Sequence, residues 1–292
     1  MENILILGSN GQLGKCIREY VYNSKNNMFN TNYIFIGHDK LDVTDKFEVI
    51  NMINTLKPNV VINCAAYTNV ESAEENKDLA YDVNSTAVDN IAYACFLNNA
   101  YLIHISTDFV FDGTKSNLYT EDDNPNPINV YGESKYDGEI SALCYNNSII
   151  IRTSWLYSEY GKNFFNTMYN KITNNEDIRV VDDQYGSPTN AHDLAEAIVD
   201  IIENKKYENN CGIYQFSNKG ICSWHSFARE IAWNIKKDGV FAIYECSSKE
   251  YKCKAKRPSF SAMSTEKFEN TFNIKPKKWE DSLEELTTKI GF

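Results

Sequence analysis

Short apolar runs alternate with helix-spaced apolar positions through the first half of the chain. Asn3–Leu7 reads as a buried strand, and Leu13, Ile17, Tyr20 and Val21 follow at the three-and-four spacing of one helix face. Tyr33–Ile36 predicts a second strand, and Phe47, Ile50, Ile53 and Leu56 mark a second helix. Val60, Val61 and Ile62 form a third strand that closes at Asn63. Residues 78–98 predict one long helix with Leu79, Val83, Ala87, Ile91 and Ala94 inward, and Tyr101–Ile105 a fourth strand. A helix over 130–145 and a strand over Ile149–Ile151 complete the series. Repeated βα units with strands apolar on both faces predict an α/β fold, a Rossmann-type doubly wound parallel sheet. Residues 1–152 are therefore expected to form a dinucleotide-binding domain.

Beyond Arg152 the alternation loosens. A helix over Ala191–Glu203, with Leu194, Ala195, Ile198, Ile201 and Ile202 on one face, is expected to pack on the main sheet. Residues 153–176 and 206–292 hold Trp155, Trp224, Trp233, Pro258, Pro276 and Trp279. They read as a smaller, interleaved C-terminal lid, so 153–292 is expected to be mainly a substrate-binding region. The asparagine-rich stretch Asn23–Asn32 reads as a surface loop.

Composition narrows the partners. A net charge of -11 over 292 residues shows no basic stripe, which argues against nucleic acid as a partner. An anionic small molecule stays compatible, because a few local cations and dipoles outvote net charge. No apolar run approaches the roughly 18–20 residues of a membrane span. Ile4–Leu7 is too short for a signal-peptide core, so no membrane association and a cytoplasmic location are expected. The eight cysteines contain no C-x-x-C pair and the four histidines are dispersed, so free thiols and no metal site are expected.

Two strings carry chemistry. Gly8-Ser9-Asn10-Gly11-Gln12-Leu13-Gly14 lies between the first strand and first helix, where bare backbone and helix N–H groups suit a pyrophosphate. Its spacing is G-x-x-G-x-x-G. At the end of the second strand Asp39 favours a free ribose hydroxyl and Lys40 a 2′-phosphate, which leaves NADH and NADPH both open. Asp42 opens the next turn, within reach of an adenine. The second string is Tyr131-x-x-x-Lys135, which sets an ammonium on the same helix face as a phenol. Such a cation favours phenolate and brings tyrosine toward the working pH. With 19 tyrosines in the chain, one or two such pairs are expected by chance, so position rather than the string carries the argument. Upstream, Ser106 and Thr107 at the fourth strand's end both offer a hydroxyl to a substrate carbonyl, or to an ordinary turn.

Together these strings resemble the extended short-chain dehydrogenase/reductases, and within them the dTDP-4-dehydrorhamnose reductase family, from Gly8 to about Trp279. The likeness also rests on Asn63-Cys64-Ala65-Ala66-Tyr67-Thr68, Ser106-Thr107-Asp108-Phe109-Val110-Phe111-Asp112-Gly113, Arg152-Thr153-Ser154-Trp155, Asp183-Gln184-Tyr185-Gly186-x-Pro188-Thr189 and Lys256-Arg257-Pro258. It implies a catalytic set of Thr107, Tyr131 and Lys135. It places Gly8, Gly11, Gln12, Leu13 and Gly14 at the cofactor phosphates, Asp42 and Val43 beside adenine, and Ala66, Tyr67 and Thr68 on the nicotinamide side. Thr107, Asp108 and Trp155 would meet the deoxysugar, and Lys256 and Arg257 are the cations for its diphosphate. The implied reaction is NADPH- or NADH-dependent reduction of a nucleotide-linked 4-keto sugar, with a homodimer as an assembly the family allows. Tyr67, Glu71 and Phe109 depart from the family's usual His, Asp and Tyr. Two rivals share the fold: another nucleotide-deoxysugar reductase or epimerase, and a non-catalytic subunit like the regulatory partner of methionine adenosyltransferase.

Overall fold

The computed structural model describes residues 2–23, 31–235 and 241–292; positions 24–30 of the asparagine-rich stretch lie outside the described residues. The βα alternation appears in order. β1 (Glu2–Leu7), α1 (Gln12–Asn23), β2 (Thr31–Ile36), α2 (Lys46–Leu56) and β3 (Val60–Asn63) come first. Two short helices follow, α3 (Val70–Ala73) and α4 (Lys77–Tyr81), and a π turn over Asp82–Thr86 joins the latter to α5 (Ala87–Leu97). β4 (Tyr101–Thr107), α6 (Val130–Leu143) and β5 (Ser148–Thr153) close the first half. The remainder is β6 (Leu156–Tyr157), α7 (Phe164–Thr173), β7 (Ile178–Val181), β8 (Tyr185–Gly186), β9 (Thr189–Asn190) and α8 (Ala191–Glu203). It ends with β10 (Gly212–Gln215), β11 (Cys222–Ser223), α9 (Trp224–Asn234), β12 (Ile243–Cys246), α10 (Glu266–Phe272) and α11 (Trp279–Lys289).

The main sheet has six strands in the order β10-β5-β4-β3-β1-β2, all parallel. The chain leaves β1 for β2 on one side and returns to β3 on the other. That reversal opens a crevice at the carboxyl ends of β1 and β3, where doubly wound sheets take their ligands. Helices α1, α8 and α10 share one apolar core with the sheet, and α2 and α5 line the core on its other face.

Three sequence expectations are corrected. The sixth strand, β10, and helix α10 come from the stretch read as lid, yet they bury Tyr214, Phe216, Phe268 and Phe272 against the main sheet. With only Ile213 and Tyr214 apolar, Gly212–Gln215 lacks the continuous apolar run that marked the equally short β3. In the long helix, Leu79 is 49% exposed, and the buried stripe runs through Ala80 and Asn84 before it reaches Ala87. The π turn absorbs the change of phase. Phe47, taken as part of the apolar face of α2, is exposed; Val49 and Ile53 hold that helix down.

A second core joins α7, α9 and α11 with β7 and β12, around Phe165, Phe227, Trp279 and Leu283. The segment after β5 leads from the carboxyl end of the main sheet into this core, where Tyr157 is buried. Among the described residues no helix is long and apolar enough to cross a membrane.

Candidate active site at the strand ends

The crevice between β1 and β3 is lined by main chain. Gly8 has φ +69°, and a Cβ there would lie 2.5 Å from the backbone N of Ala65. No other residue fits, because both the left-handed backbone and the contact with the β3 loop demand glycine. A Cβ on Gly14 would lie 2.5 Å from Cα of Ser9, so that glycine serves the close fit of α1 under the loop. Gly11 is different: a Cβ would come within 3.2 Å of Gly8 O, which leaves its outer side bare. A cavity of about 320 Å³ lies here, lined by Gly8, Gly11, Asp42, Val43, Ala66 and Tyr67 among others. Its bare backbone and the helix N-terminus beside it suit the pyrophosphate of a dinucleotide. Leu13 and Gly14 are buried under it, so they could offer only main-chain N–H groups at the start of α1. Gln12 instead receives a hydrogen bond from Nδ2 of Asn163 at 2.6 Å, and Thr68 is exposed beyond the cavity. Asp42 accepts from the N–H and hydroxyl of Thr44, which hold its carboxyl below the ordinary value.

Two strands along, the ends of β4 and α6 bring the proposed chemistry together. Asn129 caps α6 by accepting from Gly132 N at 2.8 Å, and this places Tyr131 in the first turn. Gly132 lets that turn approach β4, since a Cβ would lie 2.2 Å from Phe109 O. The Thr107 hydroxyl faces the Tyr131 phenol and donates to Oδ1 of Asp108 at 3.1 Å. It accepts from Phe109 N as well, so Thr107 caps a turn in addition to facing Tyr131. Ser106 drops out as the alternative hydroxyl. Its Oγ donates to Glu139 at 2.5 Å, inside a buried ion pair with Arg152.

The electrostatics differ from the sequence expectation. Burial pushes the Tyr131 phenol up to about 12, against the opposing effect of the facing Thr107 hydroxyl. Lys135, expected to pull it toward neutrality, turns its Nζ to the carbonyl of Ile105 at 2.6 Å and meets His104 Nε2 at 3.4 Å. Burial brings Lys135 itself down to about 8. Asp108, with Oδ2 unbonded among the described residues, is pushed up to about 7 by burial.

Trp155 stands two residues past Thr153, the register partner of Thr107, and so at the same end of the sheet. Its ring stacks on Trp224 with centroids 3.5 Å apart and planes 7° from parallel. Gly186 abuts the ring, where a Cβ would come within 2.6 Å. Arg257 pairs with Glu71 at 3.0 Å, while its Nε is buried and unbonded among the described residues. The adjoining Lys256 carbonyl accepts from Asn129, which ties this cationic segment to the start of α6. Lys256 itself is exposed.

This geometry invites comparison with known proteins. The family model described as RmlD substrate binding domain matches residues 1–291. The dTDP-4-dehydrorhamnose reductase of Aggregatibacter actinomycetemcomitans is 37% identical, over 98% of this chain and 98% of that protein. The spore coat polysaccharide biosynthesis protein SpsK of Bacillus subtilis is 36% identical over 98% of this chain and 96% of its own. The chain belongs to the dTDP-4-dehydrorhamnose reductase family. The crystal structure of the Bacillus anthracis reductase in complex with NADP superposes with a TM-score of 0.91 at 37% identity, covering 99% of both chains.

Within that family frame, one residue escaped the sequence reading. Asn84, fully buried in the π turn, accepts from Tyr67 N at 2.8 Å and donates to Tyr67 O at 3.0 Å. It also donates to the Ser134 hydroxyl on α6 at 3.0 Å. One side chain thus couples the cofactor loop to the helix that carries Tyr131 and Lys135. A polar residue on an otherwise apolar helix stripe was the available signal. Residues that look dispersed along the chain also meet in space. Cys16, Glu159 and His192 bring possible ligand atoms within 4.8 Å, as do Asp182, His225 and Glu245. In the first group Lys289 bridges Glu19 and Glu159, so an ammonium already neutralises the carboxylates.

Proposed function

We propose that this chain reduces the C4 keto group of dTDP-4-dehydro-β-L-rhamnose to give dTDP-L-rhamnose, with NADPH or NADH as reductant. The placement of the Thr107 hydroxyl and the Tyr131 phenol together at the strand ends, beside a backbone-lined crevice, carries the reading. Gly8, Gly11, the α1 N-terminus, Asp42, Val43, Ala66 and Tyr67 would hold the dinucleotide. A reduced nicotinamide bound there supplies the hydride. Thr107 orients the keto oxygen, and Tyr131 gives that oxygen its proton. At neutral pH a phenol near 12 keeps its proton, which is the form that keto reduction needs. A lysine near 8 is mostly ammonium at the same pH; to stabilise the phenolate that remains, Lys135 would turn its Nζ from Ile105 O toward Tyr131.

In this reading residues 153–292 supply Trp155, which packs on the deoxysugar, and Arg257, which faces the diphosphate, while Asp108 at the end of β4 bonds the sugar. The chain would act in the cytoplasm, consistent with eight unpaired thiols. A homodimer is the assembly to look for by light scattering. Purified protein with NADPH or NADH and dTDP-4-dehydrorhamnose should consume the reductant and yield dTDP-L-rhamnose. No oxidation with either reductant would sink the reading in favour of a different sugar or a non-catalytic role.

A further inference from the structure

Behind Lys135 runs a chain of hydrogen bonds that the chemistry above does not use. The N–H of Ala65 donates to Oδ1 of Asn63 at 3.0 Å. This fixes the amide's orientation, so the NH₂ end of Asn63 is the one that meets Nδ1 of His104 at 3.2 Å. An NH₂ group only donates, which makes Nδ1 the acceptor and leaves it without a proton. His104 is fully buried, and burial, reinforced by Lys135, holds its pKa well below the ordinary histidine value. The ring is therefore neutral. With Nδ1 bare, the proton sits on Nε2, which lies 3.4 Å from Nζ of Lys135.

An amine offers a lone pair to that N–H, whereas an ammonium offers only hydrogens. We propose that His104, oriented by Asn63, is a positioning residue that governs how readily Lys135 takes up and releases a proton during turnover. The importance of that proton rests on the reductase reading; the ring geometry does not. Other groups around Lys135 pull the opposite way. Glu139 lies one turn along α6, engaged by Arg152 and Ser106, and the Cys64 thiol faces Lys135 from beyond β3; both favour the ammonium. Tyr131 lies one turn before, with Asp108 next to it. Burial outweighs Glu139 and Cys64, and the facing N–H of His104 acts in the same direction as burial. Through Ala65, which lines the cofactor cavity, the chain also ties Lys135 to the nicotinamide-side loop.

Ring-nitrogen NMR on protein labelled with nitrogen-15 histidine reads the tautomer directly and needs no activity. His104→Asn identifies the signals by their loss. The proton is expected on Nε2 throughout the neutral range; a proton on Nδ1, or an imidazolium, would overturn the proposal even in an active reductase. The second measurement is the pH profile of kcat at saturating cofactor and sugar. Reduction uses the ammonium, so wild-type activity should fall as pH rises through the Lys135 value. His104→Phe removes the facing N–H and should move that alkaline limb up by about one pH unit. Asn63→Ala frees the ring to turn a lone pair toward Lys135, and should move it the same way. An unchanged limb with kcat merely scaled down, in either folded variant, would make His104 a packing residue and overturn the proposal. A wild type inactive on this sugar would sink the reductase reading alone, and the tautomer measurement would still decide the role of His104.

Discussion

Around Gly8 the crevice is built from main chain, whereas around Tyr131 it is built from side chains whose proton affinities burial has moved. On the first side, Gly8 and Gly14 are required by contacts of 2.5 Å that no Cβ survives. On the second, the phenol is pushed up to about 12, Lys135 down to about 8 and Asp108 up to about 7. A backbone site tolerates many neighbours but few substitutions. A buried side-chain site is sensitive to which atom carries each proton. The two halves should therefore fail differently when cut.

The sharpest cut is Tyr131→Phe. It removes the proton donor and leaves the ring packed edge-on against Phe109, so the site keeps its shape. Turnover should fall by about 10³-fold, within the range for loss of a general acid, while cofactor affinity changes little. Steady-state rates and a cofactor titration on the same preparation check both halves of that statement. Retained turnover would remove Tyr131 from the mechanism.

Gly8→Ala should strike the opposite half. A methyl there meets Ala65 N, and a left-handed backbone strains any L side chain by about 1–3 kcal/mol. Cofactor Kd should rise by at least about tenfold, with a lower Tm measured on the same protein. An alanine variant that binds cofactor normally would show that the β3 loop moves aside freely, and the contrast between the halves would lose its basis.

The same contrast explains what could be read in the sequence. Glycine spacing and apolar periodicity announce a backbone site, so the loop at residue 8 and the order of strands through β5 were legible. Strand β10 was not, because Gly212–Gln215 holds only two apolar residues, unlike the equally short but apolar β3, and its partner β5 lies some sixty positions away. At the side-chain half, the residue types were visible but their environments were not. No string shows that Lys135 turns toward Ile105 and His104, that Ser106 is committed to Glu139, or that Asn84 joins loop and helix. Those facts follow from burial and from contacts between distant segments.

Asp108 gives a stability test of the buried half. An unfolded aspartate releases its proton near pH 4, about three pH units below the folded value. Between those values the folded chain binds the extra proton, so stability falls as pH rises and the loss is complete above about 7. Asp108→Asn has no proton to release. Its Tm should match the wild type near pH 4 and exceed it by several degrees at pH 8, on the order of a few kcal/mol. Parallel Tm curves for the two proteins would show that Asp108 is ionised throughout.

The smallest effect is expected where the two halves meet solvent. Glu71 and Arg257 form a pair at 3.0 Å whose side chains are 37% and 28% exposed, a setting in which an ion pair contributes little to folding. Its consequence lies in competition: the carboxylate occupies the guanidinium that we assign to the diphosphate. Glu71→Gln keeps an oxygen to accept from Lys254 N, now received at 2.8 Å, but withdraws the rival charge. KM for the nucleotide sugar should fall by about two- to threefold with kcat and cofactor Kd unchanged. A rise in KM would mean instead that Glu71 holds Arg257 in position, so the guanidinium serves the site through its placement and not as a charge released to the substrate.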